Sequence, residues 1–244
     1  MKNMVKFLEI IAFVAMIGFA VGAGGRMATS TNGENWTTVS NSTFGTNNIH
    51  NIAWGNGIFV AVGAGGRMAT STNGENWTTV SNSTFGTNNI HNIAWGNDIF
   101  VAVGAGGRMA SSTNGHNWST VTNTFGNLTD INTIAYGNGR FFAGGWSSGR
   151  MAMSTNGTSW VGAGSLFNPG AAGAVMDIAY CGDRFVAVGT EGRMIMTFNR
   201  PSPYWNTVQN TTFLSGAPGI INDIAYGNGR FVAVGVNGRM AWSQ

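Results

Sequence analysis

Six arginines stand at one fixed place in a repeating pattern. The triplet Gly-Arg-Met surrounds Arg26, Arg67, Arg108, Arg150, Arg193 and Arg239, at spacings of 41, 41, 42, 43 and 46 residues. A guanidinium presents a planar fork of donors suited to carboxylates and phosphates, so Arg67, Arg108, Arg150, Arg193 and Arg239 are candidates for binding an anionic ligand. The competing role is structural: each bonds backbone or pairs with an acid such as Asp177 or Asp223. An element present in every unit usually belongs to the repeat's own framework, and that role is the expected one. The methionine after each arginine reads as core filler. His50 and His91 form a second candidate set. They are copies of one another, and no carboxylate lies near them in sequence to complete a metal pair or a general base, so no metal and no cofactor is expected. Trp54 and Trp95, with Tyr136, Tyr180 and Tyr226, form a third set that either stacks on sugar rings or fills space between packed units. Packing is the expected role, given the area an aromatic side chain buries.

These residues need a scaffold, and composition restricts it. The chain has 244 residues, with 38 Gly but only four Leu (Leu8, Leu128, Leu166 and Leu214). That excludes helical bundles and Rossmann-type sheets. Charged residues are 9% and hydrophobic ones 43%, which fits a tightly paired all-β structure. The net charge of +3 comes from dispersed arginines, with Lys2 and Lys6 at the N-terminus. Nucleic-acid backbones need clustered cations, so no nucleic-acid partner is expected. The single Cys181 allows no internal disulfide and no spaced-Cys metal framework.

Residues 1–23 read as a secretory leader or membrane-anchoring segment. Two lysines precede an apolar run from Ile10 to Ala23, which ends in small-x-small patterns at Gly18-Phe19-Ala20 and Val21-Gly22-Ala23. Glu9 at the start of the run is unusual for such a segment. The run is short for a membrane span. The expected location is therefore secreted, periplasmic or cell-surface, with membrane association only if the leader stays uncleaved. A third reading is open, because Ile11 through Met27 aligns without gaps on Ile52 through Met68.

The repeat sets the architecture. Ala20 through Val60 recurs as Ala61 through Val101 with one change in 41 positions, Gly57 against Asp98. Periods in this range belong to propeller blades or helical pairs, and composition removes the second. In the unit from Ile49 to Val80, four strands are predicted: Ile49–Trp54, Ile58–Gly63, Arg67–Ser71 and Asn76–Val80. Gly55-Asn56-Gly57 suits the first hairpin. A four-stranded meander repeated radially is a β-propeller blade.

The segments Ser30 to Trp36, Ser71 to Trp77, Ser112 to Trp118 and Ser154 to Trp160 resemble shortened Asp-boxes of the sialidase-like, BNR-type propellers. The usual Asp is Asn in all four, and the fifth copy, Asn199 to Trp205, keeps only its Trp. The resemblance implies an all-β propeller with the box as the hairpin between third and fourth strands. It carries little about activity, because one fold hosts many functions.

Five first strands (Ile52, Ile93, Ile134, Ile178, Ile224) and five fourth-strand tryptophans (Trp36, Trp77, Trp118, Trp160, Trp205) predict five blades over residues 24–244. In that count Trp36 to Ser40 closes the blade begun by Ile224; six blades is the alternative. The expected function is a monomeric, non-enzymatic exported binding or adhesion module for a glycan or a protein surface. A sialidase-like glycoside hydrolase is the first alternative and a structural repeat without a ligand the second. The hydrolase fits poorly, because Arg140, Arg184 and Arg230 follow turns on the face opposite the other arginines. Every Tyr except Tyr204 also occupies a repeated position.

Overall fold

Short runs that are apolar on both sides, such as Ile58–Gly63, can be buried only between two layers. A computed structural model of the protein, describing residues 17–126, 129–146, 149–165, 173–198, 205–208, 213 and 219–243, shows those layers as six antiparallel sheets. The first holds β1 (Gly18–Val21), β2 (Met27–Ser30) and β3 (Thr37–Thr38). The second holds β4 (Ile49–Gly55), β5 (Ile58–Gly63), β6 (Met68–Ser71) and β7 (Thr78–Thr79). The third holds β8 (Ile90–Gly96), β9 (Ile99–Gly104), β10 (Met109–Ser112) and β11 (Ser119–Thr120). The fourth holds β12 (Ile131–Gly137), β13 (Arg140–Gly145), β14 (Arg150–Ser154) and β15 (Val161–Ser165). The fifth holds β16 (Val175–Cys181), β17 (Arg184–Gly189), β18 (Met194–Phe198) and β19 (Trp205–Thr207). The sixth holds β20 (Ile221–Gly227), β21 (Arg230–Gly235) and β22 (Met240–Trp242). Each sheet is a meander of sequential neighbours. The innermost strands β4, β8, β12, β16 and β20 pack one on the next, which is the radial arrangement of a propeller.

The blade count is six, which corrects the expectation of five. Gly18, Phe19, Ala20 and Val21 pair in register with Ser30, Thr29, Ala28 and Met27, and Ala28 and Thr29 pair in turn with Thr38 and Thr37. The segment around Trp36 therefore belongs to the first sheet and does not close the last. The physical reason is the alternation of Phe19 and Val21. It supplies a sheet face that packs against Phe59 and Trp77, whereas the same residues in sequence read as the end of an export segment. Residues 1–16, which carry most of the proposed leader, lie outside the described residues. Among the described residues no helix is long and apolar enough to cross a membrane.

Blades stack in one direction. The indole of Trp95 lies over Gly55, the ring of Tyr136 over Gly96 and the ring of Tyr180 over Gly137, each so close that a Cβ on the glycine would overlap the ring. In the hairpin between third and fourth strands, the Ser71 hydroxyl accepts from Gly74 N at 2.9 Å and Asn73 Oδ1 accepts from Asn76 N at 3.0 Å. Trp77 Nε1 donates to Gly74 O at 3.0 Å. Gly74 adopts φ +80° and faces Phe19 of the previous sheet. The same bonds recur around Asn114 and Asn156. In the fifth sheet, where the turn sequence is gone, the buried Trp205 Nε1 has no partner among the described residues.

Candidate binding face and central channel

The arginines sit where a pinned turn puts them. After β5, Ala64–Gly66 forms a tight turn, and the connector to the next blade clamps it. Ser83 Oγ donates to Gly66 O at 2.6 Å, and Asn89 Oδ1 accepts from Gly65 N at 3.0 Å. Asp130 does the same for Gly106 N at 2.8 Å. The residue after each turn is the arginine, so every blade offers one guanidinium on the face that carries the connectors. Arg67, Arg108 and Arg150 are exposed, and among the described residues no side-chain hydrogen bond or ion pair holds their guanidinium groups. The other two have partners: Arg193 pairs with Glu191 at 2.8 Å, and Arg239 Nη1 donates to Phe213 O at 3.2 Å. Asp177 and Asp223 are not their partners.

The channel is lined by the bulges of the innermost strands. Register shifts fall between Ile49 and Asn51, Ile90 and Asn92, Ile131 and Thr133, Val175 and Asp177, and Ile221 and Asp223. The extra residues are His50, His91, Asn132, Met176 and Asn222. Bulges re-aim side chains, and here three of them reach the next blade. His50 Nδ1 lies 2.8 Å from Ile90 O, His91 Nδ1 lies 3.2 Å from Ile131 O, and Asn132 Nδ2 donates to Val175 O at 2.8 Å. Trp54 and Trp95 are half-buried against their cross-strand partners Phe59 and Phe100 in the same sheet, with ring centroids 4.2 and 4.4 Å apart, and Trp95 also covers Gly55 of the preceding blade.

Asp177 is the group sequence reasoning undervalued. Its Oδ1 accepts from the Thr133 hydroxyl at 2.9 Å and its Oδ2 from Ile224 N at 3.1 Å, tying three blades together. Burial, with the Asp223 charge adding to it, pushes its carboxyl up to about 6 against those hydrogen bonds. A carboxyl that binds its proton more tightly folded than unfolded stabilises most below its ordinary range, and that contribution is lost as pH rises through about 6. The melting temperature of the protein relative to Asp177→Asn should therefore rise as pH falls from neutral towards 4. A pH-independent difference between the two melting curves would contradict this.

One inter-blade seam departs from the pattern. Where Gly55, Gly96 and Gly137 receive an aromatic ring, the fifth sheet has Cys181, and Tyr226 opposite it is 42% exposed. A cleft of about 590 Å³ opens there, lined by Cys181, Arg184, Met196, Tyr226, Phe231 and Trp242 among others. The signal was present in sequence as the one non-glycine among Gly55, Gly96, Gly137, Cys181 and Gly227.

Fold and site together define a six-bladed repeat propeller with an arginine-bearing face. No protein-family model matches the chain, and no curated protein matches it by sequence. Among solved structures it is similar to YCF48 bound to D1 peptide, at 15% identity and a TM-score of 0.69 over 94% of this chain and 74% of that one. It is also similar to YCF48 from Cyanidioschyzon merolae, at 16% identity and TM-score 0.67 over 92% and 77%. A third similar structure is an ancestral GH74 enzyme, at 19% identity and TM-score 0.65, covering 91% of this chain but 34% of the enzyme. These likenesses establish the propeller fold.

Proposed function

We propose that the protein is a non-enzymatic, exported binding module whose connector-bearing face recognises an acidic peptide or protein surface. The observation that carries this reading is the exposure of Arg67, Arg108 and Arg150 at one repeated position. A side chain kept for structure would be expected to hold a partner, whereas a free guanidinium fork is free to take a carboxylate. Several equivalent weak contacts on a rigid ring act together through multivalency. The peptide held by YCF48 supports a peptide ligand over a glycan. The Asp177 carboxylate anchors Thr133 and Ile224 across blades, which supports a binding role over hydrolysis.

The test is fluorescence anisotropy with a labelled glutamate-rich peptide as probe. The protein should bind it with an affinity that falls as salt rises. Replacing Arg67, Arg108 and Arg150 together by Ala should weaken binding by about tenfold or more, each substitution shifting stability by no more than about 0.5 kcal/mol. Binding that survives the triple substitution, or an absence of binding at low salt, would overturn the proposal.

A further inference from the structure

We propose that His50 and His91 form a site for a borderline divalent transition-metal ion, of the zinc class, at the rim of the central channel. Three observations carry it. The two rings come from adjacent blades, with centroids 6.1 Å apart and tilted by 53°. Each Nδ1 faces a backbone carbonyl of the next blade, Ile90 O and Ile131 O respectively. A carbonyl only accepts, so Nδ1 carries a proton in both rings, and Nε2 is the nitrogen that a metal ion would take. An imidazole with one N–H tied to a carbonyl and the other nitrogen unprotonated is the state in which histidine ligates metals. Both residues are bulge residues of β4 and β8, a position that re-aims a side chain out of the sheet.

The spacing is close to that of one shared ion: two imidazoles on a tetrahedral ion, with metal–nitrogen bonds of about 2.0–2.1 Å, hold their ring centroids about 5 Å apart, so side-chain rotation closes the 6.1 Å gap by about 1 Å on binding. The next residue in the same row is Asn132. Its Nδ2 donates to Val175 O at 2.8 Å and lies 4.0 Å from Met176 Sδ, so its Oδ1 is the end left to accept. Among the described residues no three His, Cys, Asp or Glu side chains converge, so water or a ligand's carboxylate would fill the remaining positions. Two imidazole nitrogens with no fixed carboxylate favour zinc, nickel or copper over magnesium or calcium, which prefer oxygen.

The same row provides its own control, because Asn already occupies this bulge in β12. His50→Asn and His91→Asn should therefore fold, with melting temperatures close to the parent without metal. In a Cys181→Ser background, which removes the one thiol, calorimetric titration with zinc should show one saturable site. Either Asn variant should weaken it by about tenfold or more. His116→Ala, in an exposed turn on the opposite face, should leave binding unchanged, and magnesium should not bind. No saturable zinc binding up to about 1 mM, or binding that persists in both Asn variants, would overturn the proposal, as would loss of binding in His116→Ala.

Discussion

Removing residues 1–23 should lower the stability of the protein by about 3 kcal/mol or more, a fall of about 6–12 °C in melting temperature for a chain of this length. The deletion takes away β1, whose Phe19 ring meets Phe59 edge-on at 4.8 Å and Trp77 at 6.0 Å. It also leaves β2 as an unpaired edge, which invites association between chains. Phe19→Ala keeps the backbone pairing and should show a smaller loss of the same sign. A truncated chain as stable and as soluble as the parent would mean that Gly18–Val21 contributes nothing to the first sheet. Cleavage after Ala20 or Ala23 would cut through this strand or remove it.

The second large effect is a contrast between chemically identical substitutions. Gly137→Ala should destabilise by about 1–3 kcal/mol or more, because its new methyl meets the Tyr180 ring and the blades cannot move apart without losing their core. Gly96→Ala should behave alike against Tyr136. Gly227→Ala, at the same place in the sixth sheet, meets nothing within 4 Å and should be neutral within about 0.5 kcal/mol. Urea denaturation of the three variants reads this directly, and equal losses at all three positions would show that the blade-to-blade contact is not what the glycines serve.

That contrast reflects an asymmetry between the ends of the propeller. Trp36 is 46% exposed while Trp77, Trp118, Trp160 and Trp205 are between 6% and 8%. All five stand at the same position in the repeat, and each of the last four lies against the preceding sheet. On the sixth sheet Val232, Met240 and Trp242 are exposed at 38%, 61% and 63%. Of the hairpin glycines, Gly33 has open space where Gly74 meets Phe19 and Gly115 meets Ile58.

Much of the framework was legible because local chemistry repeats. The second strand, predicted at Ile58–Gly63, is β5 as found, and the first and third differ by one residue at an end. The fourth is shorter, Thr78–Thr79, since the turn bonds of Asn73 hold Glu75 and Asn76 out of the ladder. The blade count was not legible for a physical reason. A strand that is apolar on both faces and an export segment have the same hydropathy, and only the pairing of Phe19 and Val21 across from Thr29 and Met27 separates them. The candidate site was half legible. Recurrence located the arginines but could not tell a bonded guanidinium from a free one, because that depends on Glu191, where Arg67 has Gly65, and on the local course of the connector carbonyl at Phe213. The bulges that bring His50 and His91 together leave no mark in the sequence.

The placement of six arginines on one face rests on the N-terminal strand belonging to the first sheet, and a cross-link tests it. In a Cys181→Ser background, Ala20→Cys with Ala28→Cys puts thiols on Cα partners of β1 and β2, within the Cα separation of about 4.4–6.8 Å that a disulfide spans. Thr38→Cys with Ala241→Cys instead joins β3 to β22, the pairing a five-bladed closure would need. Mild oxidation followed by mass analysis should show an intramolecular disulfide in the first variant and free thiols in the second. A disulfide between positions 38 and 241, with none between 20 and 28, would contradict the six-bladed account.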